Sequence, residues 1–174
     1  PSNTIVFETA SGDLTVRVEG DFYFLDFPSR MPVLAALPLI IEKSLNIAPK
    51  EVYKSRDYVL VYDTEQDIKN IKINRSLFDQ INLNTGGVIV TSKGDNCDFV
   101  SRFFTPQASI LEDPVTGSAH CSLIPLWAKK LRKKELTAQQ LSNRKGVLNC
   151  LDKNDRVIIG GQAKTYSIGK IWIE

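Results

Sequence analysis

The chain has 174 residues, enough for one good-sized core or two small lobes, and its 43% hydrophobic and 24% charged content is ordinary for a globular protein. Twenty-two basic against twenty acidic residues leave a net charge of +2, too balanced for a general nucleic-acid or membrane-surface binder. No apolar run approaches the roughly 18 residues a membrane span needs and no basic segment leads into an apolar one at the start, so a cytoplasmic location is expected.

Three N-terminal segments, Thr4–Thr9, Leu14–Val18 and Phe22–Phe27, are β-branched, aromatic and roughly alternating. Ser11-Gly12-Asp13 and Glu19-Gly20-Asp21 break them, so the chain opens as a meander of hairpins. A short helix is expected from about Pro38 to Leu45, with proline in the first turn, where it is tolerated. Val52–Asp63 reads as a strand or hairpin, strongest at Tyr58–Tyr62, and Thr64–Asn84 as two short helices around Ile68–Ile71 and Leu77–Ile81. Gly86-Gly87 reads as a flexible turn before a strand at Val88–Thr91, since no phosphate-binding glycine pattern accompanies it.

Phe99–Phe104 is a strand leading to Pro106 and to the stretch on which the chain is organised, Glu112–His120, which runs on to Leu131. Ala119, Leu123, Trp127 and Leu131 recur every four positions, and Ile124, Leu126 and Ala128 fill the other sides, so this helix is apolar nearly all round and central. Asp113, Thr116 and Ser118 carry oxygens able to accept from the first-turn N–H groups, and Gly117 permits close backbone approach. The helix start is therefore either a capped core element or an anion site. Pro125 inside the helix costs about 3 kcal/mol unless the chain bends, so a bend near Cys121 or a start later than Ser118 is expected. Lys129–Lys134 reads as a solvated basic helix end rather than an RNA patch. Thr137–Leu141 reads as a helical turn capped by Thr137, and Gly146–Leu151, Arg156–Gly160 and Ser167–Ile173 as closing strands.

The candidate site residues are Asp113, Thr116, Gly117, Ser118, His120 and Arg102. Asp113 can take a proton or hold a substrate amine or hydroxyl, or simply cap the helix. Ser118 can donate to an anion, but no nucleophile-elbow pattern surrounds it. His120 is the only histidine and is more often a satisfied, partly buried imidazole than a base. One histidine with unspaced acids does not make a metal site, and no cofactor is expected. Arg102 faces away from Phe103 along its strand and is expected to pair with a carboxylate of the loop. Cys97, Cys121 and Cys150, odd in number and far apart, argue against a disulfide framework, and Cys121 is a reactive thiol only as a minority reading.

The run Asp98–Pro106, then Glu112–His120, resembles the PhzF-like (phenazine biosynthesis) family, of the diaminopimelate epimerase-like fold. Phe7-x-Thr9-x-Ser11-Gly12-x-Leu14, Asp26-Phe27-Pro28 and Gly160-Gly161-Gln162-Ala163 with Gly169-x-Ile171 carry the same resemblance, over what corresponds to the later three-fifths of a member. The resemblance implies an α+β fold in which a curled mixed sheet surrounds a central helix: residues 1–28 the last strands of an incomplete first lobe, 29–160 a second lobe, 161–174 closing strands. It implies cofactor-independent acid/base proton transfer on a small cyclic or amino-acid-like carboxylate between two lobes, with Asp113 and Ser118 as catalytic candidates and Thr116, Gly117 and His120 binding substrate. The family's acid/base glutamate lies in a Ser-Glu-Thr-type motif and its other cleft wall in a Gly-His-Ala-Thr-type motif, and neither occurs here. The chain thus carries half a site, which implies a partner: the missing N-terminal lobe or a second copy in a homodimer. A catalytically inert small-ligand or protein-binding module on the same fold is the alternative. The start at Pro1, with Met31 the only methionine, fits a processed chain or a piece of something longer.

Overall fold

The computed structural model describes residues 3–10, 12–84 and 86–172. The chain opens with strands β1 (Thr4–Thr9), β2 (Gly12–Glu19) and β3 (Phe22–Pro28), the expected meander, of which Ser11 lies outside the described residues. A two-residue strand β4 (Val33–Leu34) precedes helix α1 (Leu39–Ser44), which starts after Pro38 as expected. The hairpin β5 (Glu51–Lys54) and β6 (Tyr58–Val61) leads to short helices α2 (Glu65–Asn70) and α3 (Arg75–Phe78), both at their expected positions. Strands β7 (Val88–Lys93), β8 (Phe99–Phe104) and β9 (Glu112–Asp113) deliver the chain to α4 (Gly117–Leu131), followed by β10 (Glu135–Gln140), β11 (Gly146–Asp152) and β12 (Arg156–Gln162).

All of the strands join one mixed sheet in the order β1-β2-β3-β12-β11-β10-β8-β7-β6-β5-β4, with β9 pairing β8 off this path. Two of its pairs are parallel, β6 with β7 and β8 with β10. Parallel neighbours need a crossover: α2 and α3 make the first and α4 the second. The alternation of side chains sends these helices to opposite faces. Val59, Val61, Ile89, Phe99 and Phe103 pack with α4, whereas Tyr58, Leu60, Val88, Val90, Val100 and Phe104 pack with α1 to α3. Ten consecutive residues of α4, Ala119 to Ala128, are buried, because strands from β6 round to β12 surround the helix. At about 1.5–3 kcal/mol for each fully buried Leu, Ile or Phe side chain, this layer and the one under α1 to α3 both contribute substantially to the stability of the fold.

Four expectations are corrected. The helix begins at Gly117, not later than Ser118, and runs through Pro125 as one element of 15 residues. The segment read as a helical turn at Thr137–Leu141 is strand β10; its burial alternates from Leu136 through Ala138 to Gln140, but the inward Gln140 is polar and hides the apolar period. Gly86-Gly87 is no flexible turn: the Gly87 N–H donates to Asp57 at 2.8 Å, its carbonyl accepts from the Tyr58 N–H at 3.0 Å, and a Cβ there would lie 2.4 Å from the Phe103 ring. Ser167–Trp172 forms no strand and is exposed, and Ile173 lies outside the described residues. The boundary expected at residue 28 falls where β3 pairs in register with β12, from Arg156 opposite Pro28 to Gln162 opposite Phe22.

Candidate functional site

The loop before α4 is held by hydrogen bonds from distant strands. Gln140, fully buried at the end of β10, accepts from the Thr116 N–H at 2.8 Å and donates to the Asp113 carbonyl at 2.7 Å and to Thr116 Oγ1 at 3.1 Å. Ser142, also buried, donates to the Pro114 carbonyl at 2.7 Å. Glu112 takes a two-pronged ion pair from Arg102 at 2.7 and 2.9 Å, and Arg102 Nη1 also donates to the carbonyls of Ile68 and Ile71 at the end of α2. Arg102 is thus the structural arginine expected, facing away from Phe103 and stacked over Phe104.

Thr116 is the residue that precedes the helix, yet its hydroxyl makes no cap; it donates to Asp113 Oδ2. Of the two readings of this helix start, capping by Thr116 is not what is found, and the positive end of α4 is left without a side-chain cap. Asp113, Thr116 and Ser118 line one cleft of about 400 Å³ together with Arg56, Phe103, Thr105 and Ile110. Gly117 faces a second cleft of about 730 Å³ on the other side of the loop, with Tyr23, Leu25, Val115 and Lys145. A Cβ at Gly117 would meet only Phe27, 3.8 Å away, so the backbone here is open to close approach by a ligand.

His120 is not brought to either cleft. It lies one turn into α4, fully buried, with Nδ1 2.8 Å from the Thr116 carbonyl and its ring 5.9 Å from that of Phe99. A carbonyl only accepts, so Nδ1 carries the proton, and Nε2 is buried with no hydrogen-bond partner among the described residues. Burial lowers its pKa to about 4, outweighing the Thr116 hydrogen bond, so the imidazole is neutral at pH 7. Cys121 is buried and desolvation raises its thiol pKa, which disposes of the reactive-thiol reading. Lys130 and Lys133 of the basic cluster pair with Glu51 and Asp98, both at 2.7 Å. Among the described residues no group of three or more His, Cys, Asp or Glu is gathered in a way that could hold a metal ion.

Two residues of the site escape a reading of the sequence. Gln140 is marked only as the third inward position after Leu136 and Ala138. Arg56 is marked only as a charge beside Asp57 in the turn between two apolar strands, and its Nη2 reaches Ser118 Oγ at 3.0 Å.

The phenazine biosynthesis-like protein family, PhzC-PhzF, matches residues 1–169. The chain belongs to this family. It is 42% identical over 170 residues to an uncharacterised isomerase of Pseudomonas aeruginosa, covering 98% of this chain and 65% of that relative. A crystal structure of a PhzF-family phenazine biosynthesis protein from Enterococcus faecalis superposes with a TM-score of 0.88 at 41% identity, covering 99% of this chain and 66% of that one. A hydroxyproline epimerase from Agrobacterium vitis, solved with trans-4-hydroxy-L-proline bound, shares the fold at a TM-score of 0.54 and 14% identity, over 98% of this chain and 59% of that one. This chain thus has the α+β, epimerase-like architecture that the resemblance implied, and it spans about 65% of the length of the curated relative. No helix among the described residues is long and apolar enough to cross a membrane.

Proposed function

We propose that this chain supplies the second-lobe half of a cofactor-independent isomerase site, which moves a proton at carbon on a small cyclic or amino-acid-like carboxylate. The observation that carries the reading is the start of α4, where Thr116 gives its hydroxyl to Asp113 instead of capping the helix. An uncapped N-terminus favours an anion, and the half-buried Asp113 and Ser118 share its cleft, the one able to accept a proton or hold an amine or hydroxyl, the other able to donate. Thr116 and Gly117 complete the binding surface, and His120 acts from behind by holding the Thr116 carbonyl.

The acid/base partner of Asp113 belongs to a first lobe, which this chain alone lacks, so the chain by itself turns nothing over. The lobe is supplied by further N-terminal sequence or by another chain. Exposed Ile5 (57%) and Phe7 (50%) on the outermost strand β1, with apolar Ile168, Ile171 and Trp172 beyond β12, support such a partner. A second reading, an inert binding module, is favoured by the missing Ser-Glu-Thr motif alone.

Binding of small carboxylates to Asp113→Ala and Ser118→Ala variants tests the site. Loss of binding with an unchanged far-UV spectrum supports it; unchanged binding removes the loop from consideration. The intact mass of the protein from its native source then decides between the two readings. A longer N-terminus makes solvent-deuterium incorporation at carbon the assay of choice.

A further inference from the structure

Arg56 lies 62 positions from Ser118 in the chain, yet the turn that carries it is fastened to α4 at two points one helical turn apart. Ser55 Oγ lies 2.8 Å from Ser122 Oγ, and Arg56 Nη2 lies 3.0 Å from Ser118 Oγ. Positions 118 and 122 share one face of the helix, so the β5–β6 turn cannot rotate off the cleft without losing both contacts.

The guanidinium is held as well. Nε and Nη2 reach Asp57 Oδ1 at 3.3 and 3.2 Å, and Nη2 reaches Oδ2 at 3.1 Å. The Asp57 side chain is almost wholly buried and Oδ1 also accepts from the Gly87 N–H, so a packed strand entrance fixes the acid that fixes the arginine. Nη1 is left without a hydrogen-bond partner among the described residues, on a side chain that is one-third exposed and lines the cleft with Asp113, Thr116 and Ser118. Ser118 Oγ accepts from Arg56, and a hydroxyl has a single hydrogen; that hydrogen is therefore turned away from the guanidinium and is free to donate.

We infer that Arg56 is the carboxylate-reading residue of this cleft: Nη1 takes one oxygen of a substrate carboxylate while Ser118, oriented by Nη2, donates its hydroxyl to the other. Charge-assisted bonds to a planar fork discriminate a carboxylate from a neutral isostere in a way that a helix end alone does not. A ligand carrying an amine or hydroxyl beside its carboxylate would meet Asp113 across the same cleft. The inference rests on the proposed reading of the α4 N-terminus as a substrate site and adds the residue that selects the anion.

The test is a titration of ¹⁵N-labelled protein with benzoate and with benzamide, its neutral isostere, following the Ser118 and Ala119 amides. In the wild type benzoate moves these amides, and benzamide binds about tenfold more weakly or worse. The variant Arg56→Gln/Asp57→Asn removes the pair without stranding a buried carboxylate and keeps an acceptor for the Gly87 N–H. Its benzoate affinity is expected to fall about tenfold, to the level of benzamide, whose own binding stays the same. Arg56→Lys, which still neutralises Asp57 and guards against misfolding of the double variant, recovers part of the preference. Benzoate binding within about twofold of wild type in both variants, at a loss far below the tenfold step, overturns the role of Arg56 and leaves the site standing. Amides that move with neither ligand in the wild type remove the site itself and the inference with it.

Discussion

The Arg30 N–H donates to the Cys121 carbonyl at 2.8 Å, four residues before Pro125 in α4. That carbonyl is the one a proline at 125 cannot serve. A neighbouring loop therefore makes the bond that the helix lacks, and α4 passes through its proline as one element. Restoring an N–H should consequently gain nothing. Pro125→Ala is expected to leave the protein unchanged or to destabilise it by up to about 2 kcal/mol, through a small cavity in a buried position. Urea unfolding checks this, and a stabilisation approaching the full interior-proline cost of about 3 kcal/mol would contradict it.

His120 sets a pH dependence of stability. Its folded pKa of about 4 lies below the ordinary histidine value of 6.5, so between these values the unfolded chain takes up a proton that the folded chain refuses. Stability contributed by the neutral ring is complete above about pH 6.5 and falls as pH drops toward 4, with a slope of at most about 1.4 kcal/mol per pH unit. His120 is the only histidine, so the loss between pH 6.5 and 5.5 belongs to it. Urea midpoints measured across that interval should decline in the wild type and stay level in His120→Gln.

Gln140 should matter to the loop more than any residue within the loop. Gln140→Leu matches its size but leaves the buried Thr116 N–H and the part-buried Asp113 carbonyl without their partner. A cost of about 2–4 kcal/mol is expected, since each stranded group forfeits its solvation. Amide exchange should quicken at Thr116 and its neighbours before it does in β11, which the same substitution leaves paired to β12.

Gly87 is required by packing rather than by flexibility. A Cβ would fall 2.4 Å from Phe103 Cζ and 2.8 Å from the Phe104 carbonyl, so Gly87→Ala must push β7 from β8 or drive Phe103 into the cleft. Overpacking of this kind costs about 1–3 kcal/mol. Thermal unfolding is expected to register that loss, and any anion binding at Ser118 should weaken with it, because the Gly87 N–H holds Asp57.

The Asp113–Ser118 loop and the long helix after it are legible from residue types alone. Their signals are local: an apolar repeat of four, a glycine, and small polar residues at a helix start, backed by a motif long enough to place the chain in its family. The N-terminal meander, α1 to α3 and the hairpin at Tyr58 are legible for the same reason, since periodicity and turn residues act within a few positions.

What the tertiary structure alone decided are the pairings between distant segments. β10 is a strand because β8 lies parallel to it on one side and β11 antiparallel on the other, whereas its sequence ends in two glutamines. Ser167–Ile173 reads as a strand, yet its described residues, 167–172, pair with no strand of the sheet. Arg56 and Gln140 enter the site because the sheet curls round α4 and brings residues tens of positions apart within about 3 Å of the helix start. A hydrogen bond is a short-range force between groups whose positions the whole fold sets, so its partner cannot be read from the residue that makes it.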